Sequence, residues 1–324
     1  MAARSCLNRA MSDSSSVLTR QPSSRLAVAL LCFSATLWGL TWWPVKAFAE
    51  AGLSGPFLTL LSYGPVGLFG LYFLWRERVA WRHQAGLVVL LGLVGGWANT
   101  AFINALLLGD VVRVMLLFYL SPVWSVLGGR IFLDEKVGRR RMLAVALALA
   151  GLWLVIGGAD AFKSALSTAD WLALSAGLAF AGNNLISRAT QAVPMTSKTL
   201  VVFTGCGVVS ALFIGAQGLP MPLFTGGLVL ALLAYGFIWM LLATATWQYG
   251  VTHLETGRAG VILITELIVA VASVTWFGGE QMLPRMWVGA LLIAAASLLE
   301  ATDTTPHGAG PDTPSQPTGN KEQS

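Results

Sequence analysis

The chain has 324 residues, of which 56% are hydrophobic and only 11% charged, with a formal net charge of +5. A water-soluble domain carries about 25% charged residues, so the surface of this one is built to meet lipid. The bases sit in short clusters between apolar runs, with no polar basic face for phosphates, which argues against a nucleic-acid partner.

In chain order, residues 1–25 are basic and Ser-rich and read as a disordered cytoplasmic arm, in which Met11 offers a second start. The apolar run 26–48 is long enough to span and carries Trp38, Trp42 and Trp43, so it reads as a first membrane helix rather than a cleaved leader. Further runs lie at 57–75, 85–107, 114–132, 142–158, 170–187, 199–216, 226–246, 257–277 and 283–299, each close to the roughly 20 apolar residues that a span needs. The tail 300–324, rich in Pro, Gly, Thr and Gln, reads as a second disordered cytoplasmic end. With the first arm inside, sixteen of the twenty Lys and Arg fall on the cytoplasmic side, and Lys46, Arg113, Lys163 and Arg285 remain outside. That bias sets both termini in the cytoplasm of a multi-pass bacterial inner-membrane protein.

Shifting the chain by 145 residues lays Asp110 on Glu255, Arg113 on Arg258, Glu135 on Glu280 and Arg140 on Arg285, without a gap. The fourth span then lies on the ninth and the fifth on the tenth. Five spans per half is an odd number, so the second half must sit upside down. The expected fold is an all-α integral membrane protein, ten transmembrane helices as two inverted five-helix repeats over 26–158 and 170–299. Secondary transporters use this construction to expose a midplane site to either side in turn.

The segment LSPVWSVLGGRIFLDEK, followed by LALAGLWLV, resembles the EamA-type transporters of the drug/metabolite transporter superfamily. The resemblance singles out Ser121, Pro122, Glu135 and Gly151. TELIVAVASVTWFGGE is similar to the family's Glu-Pro segment, with Glu266 as its acid and Glu280 as the loop acid, and LWGLTWWPVKA supplies Trp38, Gly39 and Lys46. Leu267 stands where the family has Pro, which puts a helix break there in doubt, and Ser62 stands where the second span often carries Arg. The resemblance implies ten helices and efflux of amino acids, drugs or other metabolites, so the partners are a small-molecule substrate and the lipid bilayer; a homodimer is left open.

Glu266 lies about ten residues into its span, roughly 15 Å from either end at 1.5 Å per residue. An acid at that depth costs on the order of 2.5 to 3.5 kcal/mol and faces a cavity or a partner, so it is the first candidate for substrate or proton coupling. Lys46 either snorkels to the headgroups or turns inward to a substrate carboxylate or Glu266. Asn99, Tyr119, Ser121, Asn183 and Asn184 are polar groups at membrane depth, suited to interhelical bonding or to orienting a solute. Trp42 and Trp239 could line a cavity, with an interfacial belt as the alternative. Asp110 with Arg113, and Glu255 with Arg258, are spaced i, i+3 at the entry of matching spans, as gate or structural ion pairs. Pro44, Pro65 and Pro122 interrupt their spans, and Pro44 and Pro122 are the hinge candidates.

An intramembrane lipid-modifying enzyme is the main competing class, with a channel or a non-transporting scaffold behind it. His83, His253 and His307 are isolated, no HExxH motif occurs, and no GxxxxGK[ST] loop exists to drive a pump. Cys6, Cys32 and Cys206 lack any paired spacing, so neither a metal nor a cofactor is expected.

Overall fold

The computed structural model describes residues 24–133, 138–157, 166–190, 192–254 and 256–301, and among these it contains helices and no strand. The two terminal arms, Glu135, Lys163 and Glu255 lie outside the described residues, as do the side chains of Pro122 and Arg258. Helix is what lipid allows, because each backbone N–H and C=O must be satisfied within its own segment.

The first apolar run is two helices, α1 (Ser24–Gly39) and α2 (Trp42–Glu50). Pro44 causes the break. It has no N–H to return to Leu40, and the chain turns there, with Trp43 N–H on the Leu40 carbonyl at 3.0 Å. Next come α3 (Gly55–Arg76) and α4 (Ala85–Leu108). Helix α3 runs through Pro65 without ending, so Pro65 does not interrupt its span as the sequence suggested.

The fourth run is again two pieces, α5 (Val111–Phe118) and α6 (Ser121–Leu133), parted at Tyr119 and Leu120 just before Pro122. Helix α7 (Arg139–Ile156) precedes α8 (Thr168–Ala189) and α9 (Met195–Gln217). The eighth run comprises α10 (Gly226–Ala234), a π-helical turn over Tyr235–Met240 and α11 (Leu241–His253). Helices α12 (Thr256–Phe277) and α13 (Pro284–Ala301) complete the chain, and α12 passes through Glu266 and Leu267 unbroken.

Among the described residues, five segments are long and apolar enough to cross a membrane: Arg25–Glu50, Gly55–Arg76, Arg78–Leu108, Met195–Gln217 and Gly226–Gly250. Shorter apolar helices occur at Met142–Ile156, Ile264–Phe277 and Pro284–Leu299. The protein is an integral, multi-pass membrane protein. Trp43, Trp75, Trp171 and Trp276 are exposed near helix ends, as befits an interfacial belt.

Packing follows small residues, as it must where lipid gives helices no hydrophobic reason to associate. The main partners are α3 with α9, α4 with α8 and α9, α7 with α13, and α1 with α11 and α12. A methyl group on Gly151 would stand 2.7 Å from the Gly289 carbonyl oxygen, and one on Gly289 would stand 2.8 Å from that of Gly151. Gly67 is pressed in the same way against the backbone of Thr204, and Gly96 against Gly205. The largest buried cluster joins α2, α3, α4, α5, α8 and α12, including Leu58, Ile103, Met115, Leu116 and Val274.

Candidate functional site

The break between α5 and α6 meets the middle of α12. Glu266 sits near the middle of α12, and its carboxylate accepts a hydrogen bond from the hydroxyl of Tyr119. Tyr119 occupies the cap that ends α5, at the break before Pro122, so the discontinuity delivers the hydroxyl to the acid. On another side, Gly39, the last residue of α1, lies against the backbone of Glu266 and the side chain of Val269; a methyl group there would stand 2.7 Å from the Glu266 carbonyl oxygen. The carboxylate thus meets the break before Pro122, and the backbone beside it meets the end of α1. Ser121 opens α6 two residues beyond Tyr119.

One end of this arrangement is tied by charge around residues 109–113. Glu280, in the loop after α12, accepts the Val111 N–H at 2.9 Å and the Val112 N–H at 3.2 Å. It thereby satisfies donors that a helix N-terminus leaves unpaired, where the dipole also favours an anion. Arg113 grips Asp170 with two bonds, Nε to Oδ1 at 2.6 Å and a terminal nitrogen to Oδ2 at 2.8 Å. The expected Asp110–Arg113 pair is therefore replaced by Arg113–Asp170. Asp110 stands exposed at the N-cap position of α5 without a side-chain capping bond, whereas Arg113, a turn further on, faces the start of α8, where a carboxylate only 2% exposed requires a counter-charge.

Asp170 also closes a capping box, accepting the Ser167 N–H at 2.9 Å while its own N–H meets Ser167 Oγ at 3.2 Å. The S-x-x-D pattern at 167–170, directly before an apolar run, is the signal from which this residue could have been singled out. Lys46 places Nζ 3.4 Å from the Gly109 carbonyl at the end of α4, where a cation complements the dipole. It serves as a contact of the same segment rather than as a partner of Glu266. Trp42, 8% exposed, turns inward and donates its indole N–H to Ser273 at 2.9 Å, joining α2 to α12.

The other polar candidates divide. Asn99 bonds the Gly95 carbonyl of its own helix at 2.9 Å, so it makes a local contact. Asn183 directs its amide oxygen toward Gly95, where no donor meets it among the described residues. Asn184 is partly buried on the same helix. Trp239 lies in the π-helical turn, its indole nitrogen buried and without a partner among the described residues. At the opposite end of the bundle, Ser197 donates to the Glu77 carboxylate and Lys198 donates to the Ser187 carbonyl at 2.8 Å. The Glu255–Arg258 pair lies outside the described residues.

A cavity of about 350 Å³ opens between α3, α4, α8 and α9, lined by Trp97, Thr100, Asn104, Leu172, Phe213 and Gln217 among others. No charged side chain reaches it, and neither α5 nor α12 contributes, so it is separate from the Glu266 site. Among the described residues no group of three or more His, Cys, Asp or Glu gathers to hold a metal ion.

Residues 25–157 match the EamA-like transporter family. A protein of Rhizobium johnstonii named riboflavin transporter is 27% identical over 275 residues, which cover 80% of this chain and 84% of that one. A crystal structure superposes with a TM-score of 0.55 at 21% identity, over 84% of this chain and 95% of the other, a likeness of fold alone.

Proposed function

We propose, from the premise that this membrane protein carries an EamA-like transporter domain over residues 25–157, that it is a secondary transporter of a small metabolite working by alternating access. The halves 26–158 and 170–299 are taken as inverted five-helix repeats. Support comes from the 145-residue register and from the packing. Under exchange of the halves, α4 against α8 maps onto α11 against α1, while α3–α9 and α7–α13 map onto themselves. Loop and helix ends bound to residues 109–113 by Glu280, Asp170 and Lys46 then form the outer gate in its closed state.

The observation that carries the reading is the contact of Tyr119, at the break of the fourth span, with Glu266 near the middle of α12. A half-buried acid next to a hydroxyl can hold a proton or release it as a solute arrives, which couples proton and solute movement at one site. The name of the Rhizobium relative makes riboflavin the first solute to test. Counterflow of labelled solute in proteoliposomes separates a carrier from a channel, because an alternating site exchanges solute for solute. Glu266→Gln is expected to retain counterflow and to lose at least tenfold of the transport driven by a pH gradient. A folded Glu266→Gln protein with undiminished proton-driven transport removes the acid from this account.

A further inference from the structure

Tyr235 and Trp239 flank one side of the π-helical turn, with ring centroids 6.5 Å apart, and Phe48 of α2 lies 5.5 Å from Tyr235. A π-turn widens a helix by shifting its bonds to i→i+5, a distortion frequent at functional sites. Here Gly236 makes room for it. Its Cα side is pressed onto the Ser62 carbonyl of α3, where any larger residue would collide.

Both polar atoms on this turn are stranded. The Tyr235 hydroxyl and the Trp239 indole nitrogen are buried with no hydrogen-bond partner among the described residues, and Tyr235 as a whole is 5% exposed. A buried donor left unpaired is costly, and two on adjacent turns of a distorted helix leave hydrogen bonds that a ligand can make. The indole can only donate and the phenol can donate, so the missing partner presents acceptors. The rings of Phe48, Tyr235 and Trp239 beside these atoms suit a flat body that is apolar apart from that edge.

We infer that the 235–240 turn is the specificity contact for the transported solute, binding the acceptor edge of a planar heteroaromatic ring between the Tyr235 hydroxyl and the Trp239 N–H. This inference rests on the transporter reading but has its own readout. Riboflavin, with pteridines and purines as further probes, is titrated onto the purified full chain, with binding followed by quenching of ligand fluorescence or by calorimetry. Tyr235→Phe and Trp239→Phe each keep the ring and delete one donor, and each is expected to weaken binding about tenfold. Trp239→His, which restores a ring N–H, recovers part of that loss, whereas a purely structural role for the indole gives no such recovery.

Phe variants that bind as tightly as the wild type overturn the inference, and so does a wild type that binds none of the probes. Counterflow of some unrelated solute alongside absent heteroaromatic binding sinks the specificity contact and leaves the transporter standing. Donor-dependent binding without counterflow does the reverse.

Discussion

Removing the Arg113–Asp170 clamp is the sharpest test of how the bundle is closed at that end. Each of its two bonds joins charged groups and contributes roughly 1.5–3 kcal/mol. Asp170 is nearly inaccessible, but the Arg113 side chain is 28% exposed, so water compensates part of the loss and the pair's coupling comes to about 2 kcal/mol. Asp170→Ala also loses the capping box, for about 1 kcal/mol more, while Arg113→Ala leaves that box intact. A double-mutant cycle of Arg113→Ala and Asp170→Ala, followed by apparent melting temperature in detergent, should therefore show the double variant to be less damaged than the sum of the singles. In a background without the native cysteines, Leu116→Cys, buried one turn below the clamp, should react faster with an impermeant maleimide once Asp170 is replaced. Additive singles together with unchanged labelling would refute both the coupling and the gate.

Three further outcomes follow from the geometry. Glu280→Gln keeps a hydrogen-bond acceptor but removes the anion from the start of α5, so it should lower stability by about 0.5–1 kcal/mol at low salt, with the difference shrinking as salt rises; a salt-independent loss would point to packing instead. Gly151→Leu drives a side chain into the Gly289 backbone and should abolish monodisperse elution in gel filtration, whereas Gly86→Leu, at a position with open space, should elute as the wild type does. Single cysteines at 135 and 280 should label from opposite faces of the membrane, and labelling from one face would end the inverted arrangement.

Membrane class, the places of most apolar helices and the position of Glu266 near the middle of its helix were legible in the sequence because they depend on local quantities: apolar run length, charge spacing and proline. Pro44 breaks its span because the missing N–H is a property of that residue wherever it sits. Pro65 shows the limit of this logic, since α3 continues through it. Partner choice could not be read in this way. Arg113 has an acid three residues away and still takes Asp170, 57 residues distant, because helix packing decides which carboxylate is dry enough to need it. Glu280 meets the start of α5 across 169 residues, and Tyr119 reaches Glu266 from another helix, contacts that no periodicity announces. The π-turn under Tyr235 and Trp239 was equally silent, because YGFIWM reads as any apolar helix until Gly236 is set against Ser62. Chain chemistry thus determined which residues are costly in lipid, and the fold alone decided which of those costs are met by a neighbour and which are left unmet among the described residues.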